Sequence, residues 1–101
     1  MVLRKRRRFR VVEASMLPFL KPGDEVLVNV QAYRHKQPEV GDVVVALHPD
    51  HPNFWLIKRV AQVKLDGSCF LVGDNKSEST DSRTLGCFPA SLLLGKVTSC
   101  L

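Results

Sequence analysis

The chain has 101 residues, 45% of them hydrophobic and 25% charged, with a formal net charge of +5. Those proportions exclude a disordered segment and leave room for one domain with one modest core. The charge does not describe a basic surface, because Arg4, Lys5, Arg6, Arg7, Arg8 and Arg10 supply six of the fifteen basic residues and the other nine face ten acidic ones, leaving a body from Val11 onward of about −1.

Residues 1–10 therefore read as a basic N-terminal arm and residues 11–101 as a single domain. The arm is expected to be a solvated terminus, or else to adsorb to an anionic membrane surface or an acidic partner, at about 1 kcal/mol per basic residue near lipid. No nucleic acid is expected, since only Phe9 interleaves the charges and no groove-reading helix follows. No apolar run approaches the ~20 residues needed to span a bilayer, and Glu13, Pro18, Lys21 and Pro22 break any signal-peptide core. Cys69, Cys87 and Cys100 are odd in number and form no CxxC pair. That points to reduced thiols and a cytoplasmic location, peripheral to the membrane if the arm engages lipid.

Along the body, short strands alternate with turn signals and helical periodicity is absent. Strands are expected at Phe9–Val12, Glu25–Val30, Val43–Leu47, Phe54–Leu65 (one strand, or two joined at a bend), Ser68–Val72 and Gly95–Cys100. Pro18, Pro22 and Gly23 mark a turn region after Ser15. The polar connector from Gln31 ends at Gly41-Asp42, and Asp66-Gly67 is a hairpin turn. Gly73 to Thr84 is polar and irregular, and Pro89 before Ala90–Leu93 suggests one helical turn. The fold class is mainly β: a compact, partly closed antiparallel barrel or folded sheet with at most one short helical turn.

Three segments carry candidate chemistry. Ser15, between a strand and a proline-containing turn, has a position from which a hydroxyl can leave the sheet with free N–H groups nearby, as a nucleophile and an oxyanion site require; a turn serine without chemistry is the plainer reading. In Trp55-Leu56-Ile57-Lys58-Arg59-Val60, alternation puts Lys58 on the Leu56/Val60 face and Arg59 on the other. If the Lys58 face is internal, burial disfavours its ammonium and makes the amine a usable base; if it is external, Lys58 is ordinary. Gly73 to Arg83 is either a hydrophilic surface loop or a third part of the same site.

Together these segments resemble the signal peptidase I family. The carriers are Ser15-Met16-x-Pro18, Lys58-Arg59-Val60, and Gly73-Asp74-Asn75 followed by Ser79-x-Asp81-Ser82-Arg83. Gly23-Asp24-x-Val26-Leu27-Val28, Pro38-x-x-Gly41-Asp42-Val43-Val44 and the terminal Pro89, Leu93 and Gly95 also match, in order. The resemblance implies the fold of that family's catalytic domain. It also implies a serine endopeptidase with Ser15 as nucleophile, Lys58 as general base, Ser79 orienting the lysine and the Ser15 N–H donating to the oxyanion. Asp81, Arg83 and Arg59 would form a charged cluster bracing the loop that carries Ser79. A precursor protein would bind as an extended strand, with Val11, Met16, Leu20, Leu56 and Ile57 lining shallow pockets for small side chains. No cofactor and no metal are implied.

Several features depart from the family. Glu13 stands where many relatives have glycine or a hydroxyl residue that supplies a second oxyanion donor, and Phe19 replaces the usual threonine. Lys58 and Gly73 are fifteen positions apart, without the large second domain of many bacterial members, and the fourteen residues given before Ser15 are not expected to form a membrane helix. A compact, anchor-free member of this kind resembles the maturation protease proposed for nickel-containing superoxide dismutase, which makes removal of an N-terminal signal or propeptide the expected activity. The alternatives are a conventional signal peptidase working with a separate anchor and a decayed β-module that recruits a partner through its arm. A self-cleaving repressor-type protease, with its DNA-binding domain or arm and cleavage site upstream of the serine, is not expected from the fourteen residues that precede Ser15 here.

Other motifs have plainer readings. His48-x-x-His51 is expected to be a solvated loop, not a metal pair. Asp24 and Asp42 suit turns at strand entries, and Asp74-Asn75 lacks the later ligands of a calcium loop.

Overall fold

The computed structural model describes residues 6–78 and 80–101. Arg4, Lys5 and Ser79 lie outside the described residues. Six antiparallel strands form one sheet: β1 (Arg6–Arg10), β2 (Glu25–Asn29), β3 (Val43–Leu47), β4 (Trp55–Val63), β5 (Cys69–Val72) and β6 (Leu93–Cys100). The order across the sheet is β1-β2-β6-β3-β4-β5, so the C-terminal strand is inserted between β2 and β3. Close approach there needs a glycine: a Cβ on Gly95 would come within 2.5 Å of the Asn29 carbonyl oxygen and 2.8 Å of Val28.

β3 is the hydrophobic centre. Val43 and Val45 join one core with Phe9, Val11, Met16, Leu20, Val26, Val28 and Ile57. Val44 and Ala46 join a second with Leu56, Val60, Cys69, Leu71 and Phe88. Alternation along β3 thus buries both faces of the sheet, which is why its sequence is an unbroken apolar run. The sheet is not closed, since β1 and β5 are its edges. It does curl: Phe9 of β1 meets Trp55 of β4 edge to face at 5.0 Å, although three strands separate β1 from β4 in the sheet.

The first strand lies earlier than its sequence suggests, at Arg6–Arg10 in place of Phe9–Val12, so part of the basic arm is an edge strand. Charged residues are tolerated there because an edge needs only one inward side chain, here Phe9. Of the two alternatives for the fourth strand the structure has one continuous strand, with a register shift between Val60 and Gln62, and it turns into β5 through Gly67, whose φ of +88° suits glycine. The turn after Pro89 is a 3-10 turn at Ala90–Leu92. Two further short helical segments fall in the stretch expected to be irregular: a 3-10 turn at Lys76–Glu78 and α1 at Ser82–Leu85. The side chain of Asp81 accepts from the Arg83 N–H and so caps α1.

Two plainer readings need correction. Asp42 does more than shape a turn. Its carboxylate accepts from the Tyr33 hydroxyl at 2.8 Å and the Glu39 N–H at 3.0 Å, and pairs with Lys96 at 3.4 Å. Burial pushes Asp42 up, but these partners outweigh it and hold the carboxyl below its ordinary range. His48 is not solvated: it is buried, and its Nδ1 accepts from the Asp50 N–H at 3.0 Å.

Candidate active site

Ser15 sits in the loop between β1 and β2, whose base is closed by bonds from Val11 N–H to Asp24 and from Gly23 N–H to Val11, at 2.8 and 2.7 Å. The turn is internally bonded, from Leu17 N–H to the Ala14 carbonyl at 3.2 Å. It is also tied from outside by Asn75, whose backbone N–H donates to the Ser15 carbonyl at 2.7 Å and whose Nδ2 donates to the Ala14 carbonyl at 3.0 Å. Ser15 is buried, with 3% of its surface exposed. It lines a narrow cleft with Glu13 and Met16 on its own segment and Trp55, Leu56 and Ile57 on β4, completed by Val11 and Val12. The open volume is about 10 Å³, room for a group the size of one water.

Of the expected pocket residues, Val11, Met16, Leu56 and Ile57 line this cleft, though each is itself buried and forms its floor. Leu20 does not. It is fully buried in the first core and borders a separate groove with Phe19, Arg59 and Lys96. The turn after Pro18 carries Leu20 past the cleft, so its side chain packs under the sheet.

Lys58 follows Leu56 and Ile57 on β4 and is paired with Val44 across the ladder. It is completely buried, on the face that carries Leu56 and Val60 into the second core. The internal alternative for this strand is therefore the correct one. Burial pushes the Lys58 amine below the ordinary lysine range. The carboxylates of Glu13 and Asp81 pull it back up, and Arg83 lowers it. Desolvation wins, since a buried ammonium loses its hydration and nearby carboxylates return only part of it. That Glu13, two positions before Ser15, acts on this amine brings the Ser15 segment and Lys58 into one electrostatic neighbourhood.

Asp81 is buried and central to its loop. Its Oδ2 accepts from the Gly73 N–H at 2.8 Å, its Oδ1 accepts from the Arg83 N–H at 3.0 Å, and Arg83 forks onto both oxygens at 3.0 and 2.6 Å. The neighbouring Ser82 Oγ accepts from the Leu71 N–H at 2.8 Å. Asp81 and Ser82 thereby fasten the polar loop to β5.

The expected cluster of Asp81, Arg83 and Arg59 is divided. Arg59 lies on the opposite face of β4 from Lys58 and grips Asp74 instead, through bonds of 2.9 Å from Nε and from Nη2. It also donates to the Gly41 carbonyl at 3.0 Å and stands over the Phe19 ring. The alternation noted in the sequence already implies this, because residues 58 and 59 cannot share a face of one strand. Asn75 was missed as a site residue. Its signal is its place in Gly73-Asp74-Asn75, but which segment it would reach is a long-range contact. Among the described residues, no group of three or more His, Cys, Asp or Glu side chains could hold a metal ion, and no helix is long and apolar enough to cross a membrane.

Comparison with known proteins adds a consistent likeness. The family described as signal peptidase, peptidase S26, matches residues 3–64 and 62–101. The mitochondrial ATP-independent inner membrane protease subunit 1b of Arabidopsis thaliana is 33% identical over 105 residues, covering 82% of this chain and 62% of that protein. The mitochondrial inner membrane protease subunit 1 of Saccharomyces cerevisiae is 30% identical over 119 residues, covering 84% and 62%. Signal peptidase I of Aquifex aeolicus is 38% identical over 52 residues, covering 52% of this chain and 20% of that protein. The chain thus spans about three-fifths of the length of the inner membrane protease subunits it matches.

Proposed function

The chain belongs to the signal peptidase, peptidase S26 family, and on that premise we propose that it is a serine endopeptidase with a Ser15–Lys58 dyad that removes an N-terminal signal or propeptide from a precursor protein. The observation that carries this reading is the burial of Lys58 on the strand that lines the Ser15 cleft, with its ammonium form disfavoured. A neutral amine at that place can accept a proton near physiological pH, where a solvated lysine cannot.

The chemistry follows from those two groups. Neutral Lys58 takes the Ser15 hydroxyl proton as Oγ attacks the scissile carbonyl, and the negative charge moves to the carbonyl oxygen. The Ser15 N–H donates to that oxyanion. Collapse of the tetrahedral intermediate breaks the C–N bond. The Lys58 ammonium returns its proton to the leaving amine, and an acyl ester remains on Ser15. The leaving amine is the new N-terminus of the mature chain; water then attacks the ester with Lys58 again as base, releasing the leader as a carboxylate and regenerating Ser15 and Lys58. Ser79, with the orienting role the family resemblance assigns it, completes the proposal. The narrowness of the cleft supports small side chains beside the scissile bond.

The substrate is a precursor presented as an extended strand, and the propeptide of a nickel superoxide dismutase is the candidate carried by resemblance. Inner membrane proteases among the relatives support a place at a membrane. So does β1, where Arg6, Arg7, Arg8 and Arg10 are exposed and Arg8 and Arg10 share Glu25 as their only acidic partner among the described residues. We propose contact of this strand with anionic lipid.

The experiment is co-expression with candidate precursors, a propeptide-bearing nickel superoxide dismutase among them, followed by N-terminal sequencing of the products. Wild type yields a trimmed N-terminus and Ser15→Ala leaves the precursor whole. Equal trimming by Ser15→Ala contradicts the assignment.

A further inference from the structure

The Ser15 turn contains two consecutive peptide planes whose carbonyls are both held by one residue. Asn75 donates its backbone N–H to the Ser15 carbonyl at 2.7 Å and its Nδ2 to the Ala14 carbonyl at 3.0 Å. The Ala14–Ser15 and Ser15–Met16 peptides are trans, and a trans peptide directs its N–H opposite to its C=O. Fixing the Ala14 carbonyl toward Asn75 therefore fixes the Ser15 N–H away from it, and fixing the Ser15 carbonyl does the same for the Met16 N–H. Ser15 and Met16 are both buried, and no backbone carbonyl among the described residues accepts from either N–H. Buried N–H groups are rarely left so, and each one that is calls for an explanation, a catalytic role among them. Asn75 does not line the cleft that Ser15 and Met16 line, so it approaches the turn from behind.

We infer that Asn75 is a positioning residue: by holding the Ala14 and Ser15 carbonyls on one side of the chain, it aims the Ser15 N–H at the place where the tetrahedral oxyanion forms. The inference rests on the peptidase reading of Ser15 given above. It also assigns a purpose to the groups around Asn75. The Ser77 hydroxyl donates to Asn75 Oδ1 at 3.1 Å, which leaves Nδ2 as the end that faces Ala14. The fork from Arg59 onto the preceding residue, Asp74, anchors this segment to β4. Oxyanion donors act through preorganisation: they must already point at the developing charge when it appears. In this chain Glu13, as a carboxylate, cannot supply a second donor two positions before the nucleophile, so the direction of the backbone N–H carries more of the stabilisation.

The test uses the full chain and a pool of internally quenched peptides, from which a substrate cleaved by wild type and not by Ser15→Ala is chosen. Asn75→Ala keeps the backbone bond to Ser15 and loses the side-chain bond to Ala14. Its kcat should fall about 10- to 100-fold, less than the loss of a whole oxyanion donor, while KM stays within about twofold because ground-state binding is untouched. The folded fraction, read by circular dichroism, should match wild type. Unchanged kcat overturns the inference, and so does a fall in kcat wholly accounted for by unfolded protein. Should Asn75→Ala fail to fold, Asn75→Asp keeps the shape and replaces the donor that faces Ala14; the same split is expected. If wild type cleaves nothing in the pool, that failure belongs to the peptidase reading, and the positioning claim is read by NMR instead. Amide resonances of Ser15 and Met16 should then shift in Asn75→Ala while those of β3 stay in place. Unmoved Ser15 and Met16 resonances overturn it.

Discussion

Arg59 holds Asp74 in a fork of two 2.9 Å bonds, and through it connects β4 to the loop that reaches the Ser15 turn. The same guanidinium donates to Gly41 and covers Phe19, so one side chain joins three loops. Lysine keeps the charge but has no planar fork and cannot reproduce the set. About a third of Arg59 is exposed, which limits the effect through solvent screening. Arg59→Lys should lower the urea unfolding midpoint by the equivalent of about 1 kcal/mol. A midpoint equal to wild type would show that the fork adds nothing to a simple charge pair.

Much of this arrangement was legible in the residues and some was not, for physical reasons. Val43–Leu47 declared itself as a two-sided buried strand, and the Asp66-Gly67 turn declared its hairpin. Lys58 could be placed on the Leu56/Val60 face, but periodicity alone could not say that the face was internal; that depends on Phe88 and Leu71 arriving from elsewhere in the chain. β1 was shifted because arginine is a poor strand signal, and one inward Phe9 is all an edge strand requires. The insertion of β6 between β2 and β3 has no local signature. Alternation along β4 is by itself enough to exclude Arg59 from the face of Lys58 and Asp81.

Asp81 should be the loop residue on which folding depends most. Its carboxylate is 1% exposed and serves the Gly73 N–H, the Arg83 N–H and the Arg83 guanidinium at once. Asp81→Ala leaves the buried Gly73 N–H unbonded, and should cost about 2–4 kcal/mol in chemical denaturation. Asp81→Asn retains an acceptor and should cost less. Equal stability of Asp81→Ala and wild type would remove Asp81 as the fastener of this loop.

The basic segment should divide functionally at residue 5. Deleting Met1–Lys5 should leave the melting temperature unchanged and weaken association with vesicles containing phosphatidylserine, an effect that fades as salt is raised. Deleting residues 1–10 also removes Phe9, which packs against Trp55. It should cost about 2 kcal/mol or more, since a buried aromatic is lost with a whole edge strand. Vesicle binding that is indifferent to both deletions would contradict lipid contact through β1.

Lys58→Met retains bulk on the Leu56/Val60 face and removes an amine whose charged form burial disfavours. It should be inactive in cleavage yet at least as stable as wild type near neutral pH. In wild type, the folded-state pKa of Lys58 lies below the unfolded value of about 10.4. Between those two values the unfolded chain binds a proton that the folded chain does not, so this group makes the fold more stable as pH rises through that window. Lys58→Met should lose that slope. Strong destabilisation of Lys58→Met would instead identify Lys58 as a structural cation.

The most direct test of the Ser15–Lys58 assignment is the cleavage rate under single-turnover conditions as a function of pH. A neutral amine is the active form, so the rate should rise with pH through the folded-state pKa of Lys58, with its rising limb below the ordinary lysine value of about 10.4. Lys58→Arg, which stays protonated throughout, should show no cleavage at any pH in that range. A Lys58→Arg enzyme that cleaves at the wild-type rate with the same pH profile would contradict the dyad.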